Sequence, residues 1–259
     1  MTERGEEAGA GALRIERGWT VARFPILDRA DRVFHLFIGK TIEGKADGAA
    51  ELDALFPPPL ARRRAVRLRQ VHGARVVDAR SLAARGEAGA VEADASLTDV
   101  PGLLLRVRTA DCLPVYLVDP EGPVVALAHA GWRGLVAGVI EETVARMRAG
   151  GSAPTRLLAA IGPSIGPCCY EVGEEVAEKL GIGARPRPGG RGRPHVDLFE
   201  AAGARLLAAG LLEERIGPRP ACTACAADRL HSYRREKERV GRNEAWLAIL
   251  PQAKLGSGR

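Results

Sequence analysis

The chain has 259 residues, of which 46% are hydrophobic and 27% charged, with a formal net charge of +6. That length can bury a sizeable core in one domain; no apolar run is long enough to span a membrane, and the first residues lack the apolar core of a signal peptide. Five cysteines, an odd number, suit a reducing cytoplasm better than a disulfide framework, and the mostly arginine excess of base comes without any nucleic-acid motif, so neither nucleic acid nor membrane is expected as a partner.

Residues 1–18 are polar and glycine-rich and read as a disordered tail. Residues 19–26 and 33–38 read as strands. The run Ala61-Arg62-Arg63-Arg64-Ala65-Val66-Arg67 reads as a solvated face. Gln70-Val71-His72-Gly73 precedes a strand signal at 74–78, and residues 81–92 mix Ala, Gly and charge as a helix fragment or a loop. Residues 102–107, 115–118 and 123–128 are short, apolar, β-branched runs bounded by Pro and Gly, the pattern of buried strands. Near their ends lie Cys112 and His129, and His72 stands before the earlier strand. A thiolate and two neutral imidazoles make three bonds to a tetrahedral zinc ion and leave the fourth position open for water or substrate. Spacing alone leaves a second reading open, in which Cys112 is a small buried hydrophobe and each histidine a hydrogen-bonded loop residue.

After His129 the chain turns through Gly131 and Gly134 into a helix expected over 135–149, with Val136, Val139, Ile140, Val144 and Met147 as its apolar stripe. The turn presents free backbone N–H groups suited to an anion, and Arg133 either adds a bidentate phosphate contact or lies on the surface. Residues 155–161 read as a buried strand opening into a Pro- and Gly-rich loop at 162–167. Cys168-Cys169 reads as buried packing. Residues 171–180 read as a helix stopped by Gly181, and 183–194 as an exposed loop. Asp197 and Glu200 resemble a capping box, with His195 a capping-loop residue rather than a fourth metal ligand. Cys222-Thr223-Ala224-Cys225 has metal-type spacing. A structural zinc there would need two more ligands from Cys168, Cys169, His195 or His231, and the pair reads as packing with redox lability. It is not the cytidine-deaminase signature, since Ala221 precedes Cys222 and no His-x-Glu exists. Residues 243–250 close a single domain spanning 19–250, and 251–259 form a tail. The alternation of strands and helices predicts a mixed α/β or α+β class.

Gln70-Val71-His72-Gly73, Ala93-Asp94-Ala95, Thr109-Ala110-Asp111-Cys112, His129-Ala130-Gly131-Trp132-Arg133-Gly134, Ile161-Gly162-Pro163-Ser164-Ile165-Gly166-Pro167-Cys168-Cys169-Tyr170, Ser232-Tyr233-Arg234-Arg235 and Gly241-Arg242 occur in that order. Together they resemble the bacterial laccase-domain proteins. That family was once called polyphenol oxidase and is now described as zinc-dependent purine nucleoside phosphorylases with adenosine deaminase activity. Some of its relatives are described as peptidoglycan-editing factors. The resemblance implies a layered sandwich of mixed β-sheets flanked by helices. It also implies His72, Cys112 and His129 as metal and catalytic residues, zinc as cofactor with copper as alternative, and phosphate with adenosine, inosine or methylthioadenosine as substrates. The chain departs from the family's pattern early: a Thr-Arg-Gly-Gly-like turn is replaced near Leu36-Phe37-Ile38-Gly39-Lys40, an Asn-Leu-Gly motif is missing, and Asn243 is the sole asparagine. Other readings are a copper oxidase, for which five histidines are too few to build several copper centres, a Cys–His hydrolase with Cys112 as nucleophile and His129 or His72 as base, and a non-enzymatic binding module.

Overall fold

The computed structural model describes residues 12–42, 49–58, 60, 65–85, 91–122, 124–181 and 192–252. In chain order the strands are β1 (Arg14–Glu16), β2 (Trp19–Ala22), β3 (Val33–Thr41), β4 (Ala65–Val66), β5 (Val76–Asp78), β6 (Ala95–Thr98), β7 (Leu104–Thr109), β8 (Leu113–Val118), β9 (Val125–Ala130), β10 (Leu158–Ile161) and β11 (Asn243–Ile249). The helices are α1 (Ala49–Asp53), α2 (Ala79–Arg85), α3 (Trp132–Ala137), α4 (Val139–Ala149), α5 (Glu174–Leu180), α6 (Leu198–Ala208) and α7 (Tyr233–Glu236). Two mixed sheets result, one in the order β1-β2-β3-β11-β7-β4 and the other β10-β8-β9-β6-β5.

The sheets pack face to face through Phe37, Leu105, Val107, Tyr116, Val118, Val125, Leu127, Ala245 and Leu247. The other face of the five-stranded sheet is covered by α4 and α3, with α5 and α6 packed against those helices, and Val139, Ile140, Val144, Val176 and Leu206 share one core with Val115, Leu117 and Ala126. Strands covered on both sides should be apolar at every position rather than alternating. β8 (Leu-Pro-Val-Tyr-Leu-Val) and β9 (Val-Ala-Leu-Ala-His-Ala) are, and every residue of both is buried. The one basic side chain in that run is His129, so its presence there demands a partner. Tyr116 satisfies its own buried hydroxyl by donating to the Leu36 carbonyl across the sheets, 3.1 Å away. The α+β layered sandwich expected from the motifs is therefore the fold.

Several boundaries differ from expectation for local reasons. The tail expected over 1–18 gives way to β1, which pairs with β2 from Arg14 opposite Val21 to Glu16 opposite Trp19; residues 1–11 lie outside the described residues. The helix expected over 135–149 is two helices, because Gly138 takes a left-handed φ of 86° that ends α3 and starts α4. The change of direction turns Val136 out of the stripe, and it is 41% exposed. The strand expected over 155–161 begins later, since Pro154–Arg156 is a 3-10 turn with Pro at its start. The 171–180 helix begins at Glu174 and ends, as expected, on a left-handed Gly181. Asp197 does cap α6, accepting the Glu200 N–H at 3.2 Å. Most of the 61–67 charge run, of the 183–194 loop and of the C-terminal tail lies outside the described residues, as do residues 86–90 of the 81–92 stretch.

One buried group in this sandwich sets an acid limit on stability. His35 on β3 is 3% exposed, and its Nε2 accepts the Phe24 N–H at 2.9 Å. Burial is the main cause of a pKa lowered from 6.5 to about 4, with Arg23 adding to it and Asp28 opposing. Below pH 6.5 the unfolded chain takes up a proton that the folded ring refuses until about pH 4. Stability should therefore fall across that window by about 3 kcal/mol. Urea unfolding at pH 7 and pH 4 checks this. In His35→Gln, which keeps an acceptor but does not titrate, the difference should shrink by about that amount.

Candidate functional site

Three chain segments converge at one end of the five-stranded sheet. His129 is the penultimate residue of β9, opposite Pro114 of β8, so the turn just before β8 brings Cys112 alongside it. β9 also pairs with β6, and the main-chain carbonyl of Asp94, just before β6, accepts the His129 backbone N–H at 2.6 Å. The loop before β5 adds His72, whose ring lies 4.8 Å from that of His129 at 73°. The donor atoms of His72, Cys112 and His129 all lie within 4.8 Å of one another, so the set could hold a metal ion. His129 is buried, Cys112 half-buried and His72 exposed, which leaves the group open to solvent on the His72 side.

Asp94, quoted in the sequence only as part of a motif, is what positions two of the three. Its carboxylate is fully buried and accepts four hydrogen bonds. Oδ1 takes the His72 N–H at 2.9 Å and the His129 Nδ1–H at 2.8 Å; Oδ2 takes the Gly73 N–H at 2.7 Å and the Val71 N–H at 3.2 Å. The loop is thereby clamped, His129 is held in the tautomer that frees Nε2 toward Cys112, and its basicity rises. Burial opposes ionisation of Asp94, but the His129 and backbone donors outweigh it and its pKa is lowered.

Electrostatics match the geometry. Burial alone would raise the Cys112 pKa, yet the charge and hydrogen bonds of His129, then those of His72, bring it down to about 6. Conversely, burial would lower His129, and the Cys112 thiolate and Asp94 lift it to about 9. A thiolate is therefore present at neutral pH, ready for a cation. Two backbone positions beside the ligands are held in the left-handed region usually left to glycine, His72 at φ 62° and Asp111 at φ 91°. Gly131 supplies the remaining room, because a Cβ there would stand 2.7 Å from Cys112 Sγ and 3.3 Å from His72 Cδ2.

Asp111 is anchored from the far side. Its carboxylate accepts the Thr223 hydroxyl and the Arg234 backbone N–H, each at 2.6 Å, and its carbonyl accepts the Ile165 N–H at 2.9 Å. The Arg234 guanidinium lies 5.3 Å over the Tyr170 ring. Burial first, then the Cys112 charge, push Tyr170 up to about 12, so its hydroxyl remains a neutral donor beside the thiolate. Sequence reading missed Asp94, Asp111 and Tyr170 as site-building residues; the signal available was only their place inside the quoted motifs.

Other candidates fall elsewhere. Arg133 is exposed, with its guanidinium 4.5 Å over the Trp132 ring, and the helix it opens has six residues. His195 bonds the Pro167 carbonyl at 2.7 Å and is in neither metal-type cluster. Asn243 is fully buried and spends both ends of its amide on the backbone of His231. The two cysteine pairs are not simple packing: Cys168, Cys169, Cys222 and Cys225 gather in a second cluster, and Cys168 and Cys225 are exposed.

A family model described as multi-copper polyphenol oxidoreductase laccase matches residues 53–250. A purine nucleoside phosphorylase from Deinococcus radiodurans is 41% identical over 198 residues, covering 74% of this chain and 72% of that protein. The adenosine deaminase RL5, from an unknown prokaryotic organism, is 38% identical over 178 residues, covering 64% of this chain and 68% of that protein. Among solved structures, YlmD from Geobacillus stearothermophilus superposes with a TM-score of 0.75 at 30% identity, covering 92% of this chain and 98% of that one.

Proposed function

The chain belongs to the multi-copper polyphenol oxidoreductase laccase family, and from that membership we propose that it is a zinc-dependent purine nucleoside phosphorylase that also deaminates adenosine. The names of its relatives support the substrate class, and one observation supports the metal: an open His72–Cys112–His129 set with His129 oriented by a buried carboxylate. Two imidazoles and a thiolate suit zinc with one position left free, and a metal-ligating histidine bonded through its other nitrogen to a carboxylate is the usual supporting arrangement. Zinc held there would supply Lewis acidity, making water nucleophilic at neutral pH. Five free cysteines suit a reducing cytoplasm, where we place the protein.

The chain's own residues divide the remaining work. Asp94 holds the His72 loop and the His129 ring so that neither reorganises during a turnover. Tyr170, neutral at working pH, would donate a hydrogen bond to a purine nitrogen or a ribose oxygen. The half-buried Arg234, stacked on Tyr170, keeps that ring in place. Arg133 contacts phosphate if it swings off Trp132; in that case Arg133→Ala should raise the KM for phosphate about tenfold with little change for nucleoside, since only an ionic contact to the anion is lost. Unchanged phosphate kinetics would return Arg133 to the surface. With adenosine as substrate, inosine should form without phosphate, because water is the attacking group. With adenosine or inosine, free base should appear only when phosphate is present as the nucleophile. Base release indifferent to phosphate would contradict phosphorolysis.

A second reading has its own observation. Cys112, His129 and Asp94 also stand as a thiolate–imidazole–carboxylate relay, the arrangement of a cysteine hydrolase. His72 weighs against it, since a second imidazole beside the thiolate has no task in a hydrolase and an obvious one as a metal ligand. Metal content separates the two. A copper oxidase is disfavoured because His35, His195 and His231 are engaged elsewhere, on Phe24, Pro167 and the Glu236 side.

A further inference from the structure

We propose that Cys168, Cys169, Cys222 and Cys225 form a second, closed metal site, a tetrathiolate that holds one zinc ion and fastens the loop after β10 to the turn before α7. The four sulfurs come from two segments more than fifty positions apart in sequence and all lie within 4.8 Å of one another. Cys225 Sγ is 3.5 Å from both Cys168 Sγ and Cys169 Sγ. Four sulfurs at the Zn–S distance of about 2.3 Å around a tetrahedral centre stand roughly 3.8 Å apart, so a shift of a few tenths of an ångström seats the ion. A disulfide needs about 2.05 Å, and all four cysteines are free.

The backbone around the cluster is shaped for anionic sulfur. Cys222-Thr223-Ala224-Cys225 is a tight turn closed by the Ala226 N–H on the Cys222 carbonyl at 3.1 Å. The amides of Ala224 and Cys225 point at Cys222 Sγ, and the Gly166 N–H donates to the same sulfur at 3.2 Å. Gly166 is needed for the close approach: a Cβ there would lie 3.3 Å from Cys168 Sγ and 3.3 Å from Cys222 Cβ. The facing turn, closed by the Cys169 and Tyr170 N–H groups on the Gly166 carbonyl at 3.0 Å, brings the adjacent Cys168 and Cys169 to one side. Arg234 reaches the carbonyls of Cys169 and Glu171, and Arg235 those of Thr223 and Ala224, so cationic groups flank what would be a doubly negative complex. Soft thiolates in a tetrahedral set select zinc over harder cations.

Binding forms four Zn–S bonds and releases the thiol protons to solvent, with no change of oxidation state. No position remains for substrate, so the site is structural. Its reach is through Thr223, whose neighbour Cys222 is a ligand and whose hydroxyl bonds Asp111, the residue before Cys112.

The test uses the Cys112→Ala full-length chain, which separates this site from the other cluster. It should retain about one equivalent of zinc by native mass spectrometry. Its cobalt-substituted form should show strong thiolate-to-cobalt charge transfer, and adding Cys225→Ser should abolish both signals. A wild-type measurement guards against misfolding: Cys168 and Cys225, though exposed, should alkylate with iodoacetamide at least tenfold faster after a chelator is added. Loss of all metal in Cys112→Ala together with rapid alkylation before chelation would overturn the proposal, as would a chain mass two protons low from a disulfide within the cluster. None of these outcomes depends on nucleoside turnover, so this site and the proposed activity stand or fall separately.

Discussion

Cys112→Ala is expected to lose the zinc shared by His72 and His129 and, with it, all but about one part in a thousand of adenosine deamination. The thiolate is the only anionic donor among the three, held ionised near pH 6 by the two imidazoles. Without it two neutral histidines remain, one of them on an exposed loop, and two donors hold zinc far less firmly than three. The fold should survive, because Cys112 sits in a turn outside β8 and its removal opens toward solvent rather than inside the core. Zinc analysis, circular dichroism and inosine formation together check this. A Cys112→Ala protein that keeps full activity would remove the thiolate from both the zinc and the hydrolase mechanisms.

Asp94→Asn is expected to lower zinc affinity 10- to 100-fold while leaving the three donors in the chain. The carboxylate has acceptor positions for four donors, three backbone N–H groups and His129 Nδ1–H. An amide offers one oxygen, and its N–H2 must face donors it cannot accept from. The cost is about 1–3 kcal/mol for each buried donor left unpaired, and it falls on the loop carrying His72. Excess zinc should therefore restore much of the activity of Asp94→Asn but none of that of Cys112→Ala. Competition with a chromophoric chelator measures the affinity, and an unchanged affinity would reduce Asp94 to a fold-stabilising role.

How much of this was legible differs by element. β8 and β9 were, since strands covered on both faces must be apolar throughout and their turn residues sit at the ends. His72, Cys112 and His129 could be grouped because each lies near a strand end and falls within a motif of the family resemblance; spacing alone left them open. Asp94 could not be assigned from its neighbours: a carboxylate that clamps backbone N–H groups leaves no side-chain pattern, and its partners come from both sides of it in sequence. The break at Gly138 was hidden because an apolar stripe continues in register across it, and only the left-handed φ shows that the axis turns. The four-cysteine cluster was hidden for a similar reason. An adjacent Cys168-Cys169 pair resembles no common ligand spacing, and the two segments are brought together by the pairing of Ser164 with Cys222 and the Gly166 N–H on Cys222 Sγ, which no local pattern shows.

Both proposed reactions rest on zinc held by His72, Cys112 and His129. Anomalous difference maps from crystals of protein purified without added metal, recorded on both sides of the zinc absorption edge, test it most directly. A peak is expected among the three donors above the edge and should vanish below it. A peak that persists between the copper and zinc edges, or no peak at this position in protein that deaminates adenosine, would contradict it.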